Sequence, residues 1–104
     1  MQYEILPEAQ LEVEDTVHYL NRFPRPRGSE FVAEYKKGIA RIQADPSRYP
    51  PDEDAPVGVE VRYYLLPKYK HRLIFLVLPD RLVVLAVANF SRPSDYWLNR
   101  LTRT

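Results

Sequence analysis

The stretch VEVRYYLLPKYKHRLIFLVLPDRLVVLAVANF, Val59 to Phe90, decides the fold. It holds three runs rich in β-branched and aromatic residues: VEVRYYLL (59–66), HRLIFLVL (71–78) and LVVLAVANF (82–90). Such residues favour strands, because their branched or flat side chains pack well on a pleated surface. PKYK separates the first two runs and PDR the last two, and connections that short join antiparallel neighbours. The reading is a three-stranded antiparallel meander. In its middle strand Arg72, Ile74 and Leu76 fall on one face, and Leu73, Phe75 and Val77 on the other. Both faces are mostly apolar, so both need cover.

Upstream, YEIL (3–6) is a short strand, and it joins the meander because a lone strand leaves its backbone unsatisfied. Pro7 suits a first helical turn, and Ala9, Val13, Val17 and Leu20 form an apolar stripe, which predicts a helix over 7–22. Glu8, Glu12, Glu14 and Asp15 crowd its early turns, favourable at the positive end of the helix dipole. FPRPRGS breaks that helix, and either Ser29 caps a second one or its start lies a few residues earlier; its stripe is Phe31, Tyr35, Ile39 and Ile42. Gly38 lies inside it, at a cost of about 1 kcal/mol relative to alanine. ADP (44–46) ends it, and residues 47–58, with three prolines and three acids, read as a loop. The order is an N-terminal strand, an αα-hairpin, the meander and a short C-terminal helix: one α+β domain over residues 1–104. The hairpin covers one face of the sheet. For the other only SDYWLNRLTRT (94–104) is left, so either a partner buries that face or the tail and long side chains suffice.

Composition bounds the function. At 45% apolar and 28% charged the chain is an ordinary globular domain, with no apolar run long enough to span a membrane. Its opening, MQYEILPEAQ, does not read as a signal peptide. It has no cysteine and two histidines, His18 and His71, so no disulfide, metal site or cofactor is expected, and a reducing cytoplasm suits it. Residues 1–55 carry a net charge of −4 and residues 56–104 a net +5. The basic half either meets an anionic partner or neutralises the acidic half within the fold.

Three glycines build no phosphate loop or dinucleotide fingerprint, and no nucleophile elbow is present. The acids are explained by solvation. The denser constellation is basic and aromatic. Arg62, Lys68, Tyr69, Lys70, His71 and Arg72 lie around the first turn of the meander, and Asn89, Arg92, Tyr96, Trp97 and Arg100 lie at and beyond its last strand. In a meander these two groups share one edge of the sheet. Guanidinium and ammonium groups there hold phosphates, and tyrosine stacks on bases. Metal-free RNA cleavage would use Arg72 and Arg92 on the phosphate, with His71 and Tyr96 as the only proton carriers. The plainer reading is a turn with solvated lysines and a Trp97 that plugs the core.

VRYYLLPKYKHRLIFLVLPDRLVVLAVANFSRPSDYWLNR (61–100) resembles the C-terminal half of the RelE/ParE superfamily of bacterial toxins. YEILPEAQLEVEDTVHYL and FVAEYKKGIARIQADPSRYP are similar to its N-terminal half. The motifs are a basic-aromatic turn before Arg and an apolar strand, KYKHRLIFLV, and a strand followed by Arg-Pro, Tyr-Trp and Arg, VLAVANFSRPSDYWLNR. The resemblance implies a type II toxin–antitoxin module, with a cytoplasmic toxin wrapped by a cognate antitoxin. The RelE-like branch cuts messenger RNA on the ribosome; the ParE-like branch poisons DNA gyrase. Arg72 and Tyr96 match residues of the RNA cutters, and Arg92 an arginine common to both branches. VRYYLL lacks the cutters' lysines, and Phe90 stands at their post-strand arginine. The RP..YW..R ending looks more like the ParE side, although Asn89 replaces the histidine that commonly ends its last strand. The resemblance therefore implies a ParE-like binder of gyrase, with a ribosome-dependent nuclease or an inactive antitoxin-binding member as alternatives.

Overall fold

The computed structural model describes all residues, 1–104. Strand β1 (Gln2–Ile5) leads into helix α1 (Pro7–Leu20), then helix α2 (Gly28–Ala44), and strands β2 (Val61–Leu66), β3 (His71–Val77) and β4 (Arg81–Asn89). Short 3₁₀ turns lie at Pro46–Arg48, Pro67–Tyr69 and Leu98–Arg103. The sheet order is β1-β4-β3-β2, with the meander antiparallel as expected. β1 joins it on the β4 side, parallel to β4, because α1 and α2 carry the chain back across one face.

Local details differ from the sequence reading. α2 starts at Gly28, not behind a Ser29 cap: Asn21 Oδ1 accepts the Gly28 amide at 2.9 Å. Asn21 thus closes the hairpin from the residue after α1. β2 begins at Val61, two residues late, since Val59 N turns back to Pro56 O; Asp52 N and Tyr63 N bond Val61 O and Pro50 O and so bring residues 50–52 alongside its outer edge. Gly38 has its reason in packing: a Cβ there would meet the Tyr64 ring at 2.9 Å.

The meander is not a plain ladder. Ile74 faces Ala86 while Phe75 faces Val84, so Leu85 is an extra residue, a β-bulge. It lies just past Ile5↔Val84, the last pair of β1 with β4. β1 ends at the same point, because Pro7 opens α1. Because of the bulge, Leu85 and Ala86 both point into the core on the sheet's second face.

Two cores result. α1 and α2 bury Ala9, Val13, Phe31 and Ile39 against Leu73, Phe75, Val84 and Val87. On the second face Trp97, fully buried, sits on Val61, Ile74, Leu76 and Leu85, with Ala55, Val59, Leu98 and Leu101 packed around it. The tail and the 55–59 loop therefore suffice, and no partner is needed to cover that face. Trp97 is a core plug rather than a contact residue, and its indole N–H donates to Ser94 O at 2.8 Å, so the ring is buried without an orphaned donor. Trp97→Ala should lower stability by about 3–5 kcal/mol in urea unfolding, the range for truncating a buried aromatic. An unchanged midpoint would contradict the burial.

Candidate functional site

The two basic-aromatic segments do meet. His71 pairs with Asn89, and Phe90 N donates to Lys70 O at 2.8 Å, which places the 67–70 turn beside the end of β4. Lys70 holds that turn with a left-handed backbone (φ 55°), the only non-glycine residue that does so. The individual side chains then divide into those bound within the fold and those left open.

Most of the proposed catalytic groups are bound. His71 is buried against Phe31. Its Nδ1 lies 2.6 Å from Tyr69 O, which can only accept, so Nδ1 carries the proton. Nε2 then faces the Thr16 hydroxyl at 3.3 Å. Burial pulls the imidazole below its ordinary 6.5, although the bond to Tyr69 O and the Glu12 charge oppose this, so the ring is neutral. The Tyr96 hydroxyl donates to Glu12 Oε2 at 2.7 Å. Burial first, then that bond and the Glu12 charge, push the phenol well above its ordinary 10. It holds its proton rather than passing it on.

Glu12 is the centre of this side. Arg100 donates to both its oxygens, Nη1 to Oε1 and Nη2 to Oε2, each at 3.1 Å. The pair is nearly closed off from solvent, with side-chain exposures of 12% for Arg100 and 15% for Glu12. Glu12 Oε1 also accepts Val87 N at 3.0 Å, and Arg100 Nη1 donates to Leu85 O at 2.8 Å. These are backbone groups on the β4 edge that β1 no longer reaches. The guanidinium groups of Arg92 and Arg100 lie 5.3 and 4.9 Å from the centre of the Tyr96 ring. The row continues along α1 at helical spacing: Glu8 pairs with Arg103, Glu12 with Arg100, and Thr16 meets His71.

The sequence reading left Glu8 and Glu12 to solvent and the helix dipole. In the structure both instead pair with the tail, and Glu12 is nearly buried. The available signal was the match of Glu8 and Glu12, four apart on a helix, with Arg100 and Arg103, three apart on a 3₁₀ turn. Asp52 is likewise not a solvated loop acid. It is buried, its Oδ1 accepts Asp54 N at 2.9 Å, and Arg72 Nη1 stands 3.8 Å from its Oδ2. Arg72 also reaches Ser94 O at 3.4 Å, the carbonyl that receives the Trp97 N–H. Arg62 falls away from the cluster, toward the other end of β2, bonded to Glu60 at 2.8 Å and Tyr49 O at 2.6 Å. Asn89 Oδ1 caps the following turn through Ser91 N at 2.9 Å and Ser91 Oγ at 2.8 Å. Lys70 and Arg92 are exposed, and Lys68 has one distant partner, Glu30 at 3.8 Å.

Two outcomes follow. Glu12→Gln should cost about 2–4 kcal/mol in urea unfolding, because it strands Arg100 in a nearly closed site; Glu8→Gln, at the exposed end of the row, should cost far less. Equal losses would mean that the row carries no special weight at Glu12. The His71 shift also has a sign. The folded ring resists protonation more than the unfolded one, so stability is full above pH 6.5 and falls as pH drops below it toward the lower folded value. A His71→Gln variant, followed by thermal unfolding across that range, should lack this part of the slope.

No protein-family model and no curated protein matches the sequence. Among solved structures the chain is similar to one from "Chromosomal ParDE TA system from P. aeruginosa". The TM-score is 0.70 at 13% identity, over 86% of this chain and 95% of that one. At that identity the likeness is one of fold: the RelE/ParE-like arrangement expected from the sequence is the arrangement the chain adopts.

Proposed function

We propose that this protein is the toxin of a type II toxin–antitoxin module, ParE-like, and that it acts by binding DNA gyrase rather than by cutting RNA. The likeness of fold to a ParDE chain supports the module. The observation that carries the choice of binding over cleavage is the Tyr96–Glu12–Arg100 network. An RNA cutter needs a proton carrier beside its phosphate cations. Here one carrier is an imidazole buried against Phe31, with Nδ1 bound to Tyr69 O and Nε2 turned to Thr16, and the other a phenol locked to a carboxylate. Arg72 and Arg92 remain as cations, without a partner to move the proton.

A cognate antitoxin completes the module. The apolar concavity open to it lies between α1, α2 and β1, about 720 Å³, where Ile5, Val13, Val17, Val32 and Ile39 line the wall. An antitoxin helix that presents an apolar stripe fits that groove.

Controlled expression in bacteria tests the reading. Filamentation and a DNA-damage response are expected, with intact messages, and Tyr96→Phe should remain toxic. Rapid loss of translation with cleaved messages, abolished by Tyr96→Phe, would move the chain to the RelE-like reading. No toxicity at any expression level would leave an inactive member that only binds an antitoxin.

A further inference from the structure

The hairpin end of the molecule carries groups that neither core nor ion network uses. Tyr19 and Phe23 are exposed, at 57% and 45%, yet held edge-to-face with ring centres 5.3 Å apart. Held edge-to-face, the two rings stand nearly perpendicular, and the faces they leave open to solvent are fixed in place. A groove of about 530 Å³ runs from Tyr19 past Arg27, Lys68 and Lys70 to Asn89. A second concavity, sharing Arg27 and Lys68 with it, continues past Arg25 to Phe23. Together their walls carry four cations, Arg25, Arg27, Lys68 and Lys70, against two acids, Asp15 and Glu30. Tyr69 anchors the centre. Arg27 lies 5.8 Å and Lys68 5.7 Å from its ring centre, and its hydroxyl reaches Glu30 at 3.4 Å. Phe90, 48% exposed, follows Asn89 in the chain, and its amide N–H donates a hydrogen bond to Lys70 O.

We infer that this cationic groove, flanked by Tyr19 and Phe23, binds single-stranded nucleic acid, with phosphates along Arg27, Lys68 and Lys70 and bases on the exposed rings. A positive track with aromatic platforms beside it is the arrangement that binds strands without reading sequence: the cations follow the backbone and every base has a face to stack. An acidic peptide would use the cations but leave the rings without stacking partners, so the aromatic pair favours nucleic acid. The inference does not depend on which cellular target is engaged, because its cations and exposed rings take no part in the Tyr96–Glu12–Arg100 network, although Thr16 and His71 from the same row of α1 also line the groove.

Fluorescence anisotropy with a labelled oligo(dT) and, separately, a labelled poly-glutamate peptide tests it on the intact chain. The oligonucleotide should bind at low salt and weaken as salt rises. Lys68→Ala with Lys70→Asn, asparagine being tolerant of the left-handed backbone, should lower the salt slope by about 1.4, roughly 0.7 for each lost phosphate contact. Phe23→Ala should weaken binding about 5- to 150-fold, the loss of one stacked base. Lys37→Ala, on the outer face of α2, should change neither. Circular dichroism of each variant separates lost binding from lost folding. Absence of oligonucleotide binding, an unchanged slope in the double variant, or tighter capture of poly-glutamate with Phe23→Ala silent would each overturn the inference. A chain that is harmless in cells but binds oligo(dT) in this pattern would sink the toxin reading and leave the groove standing.

Discussion

The structure depends on how one strand edge is closed. β1 pairs with β4 only as far as Val84, and past the bulge at Leu85 the edge of β4 away from β3 has no strand neighbour. A buried, unpaired peptide group costs about as much as a lost hydrogen bond, and an open edge invites another chain. Here two side chains replace the missing strand. Glu12 from α1 accepts Val87 N, and Arg100 from the tail donates to Leu85 O. The two charges then satisfy each other through a double hydrogen bond. One ion pair thus joins helix, sheet and tail. It also fixes where the tail must run, and hence that Trp97 lands on the second face.

The bulge belongs to the same solution. Without the extra residue, β4 would keep strict alternation, and Leu85 and Ala86 would point to opposite faces. With it, both enter the core under Trp97. The small Ala86 and Ala88 leave room on that face, and the large indole fills it. Bulge, alanines and tryptophan are three parts of one packing arrangement, while the acids and arginines hold its rim. Arg72 ties the rim from the opposite side, between Asp52 of the loop and Ser94 of the tail.

What the sequence disclosed follows the range of the interactions. Strands, hairpin and tail are set by periodicity and punctuation within a dozen residues, and these were legible. So was the meeting of the 67–70 turn with the end of β4, because a meander has only one way to bring them together. The Glu12–Arg100 bond spans 88 residues, and no local pattern announces a partner that far away. Read locally, Glu12 is one more acid in an acidic first turn. His71 was misjudged for a related reason. Its place at a strand start beside lysines suggests a wet site, but the side chain turns under α1, where Thr16 and Phe31 enclose it. The bulge was invisible because Leu85 and Ala86 are both apolar, so a slipped alternation leaves no mark in the sequence.

The network also divides the surface by what each group has left to give. Tyr96, Arg100, His71 and Glu12 make their bonds inside the molecule, and drawing Glu12 or Arg100 away to a ligand would reopen the β4 edge. Arg25, Lys70 and the exposed aromatic pair make few such bonds, so a ligand there displaces water and little else. Charge in the tail is dense, and part of it, Arg100, serves the repair of a strand edge. The groups free to act are the sparser ones, on the loop between the helices and on the turn that Lys70 shapes with its unusual backbone. That non-glycine, left-handed turn is where the chain keeps a lysine at a position that favours glycine. The strain is of about 1–2 kcal/mol, and the exposed side chain makes no hydrogen bond or ion pair within the fold to offset it. A charge held there against the backbone's preference is better explained by what it meets outside the fold than by anything within it.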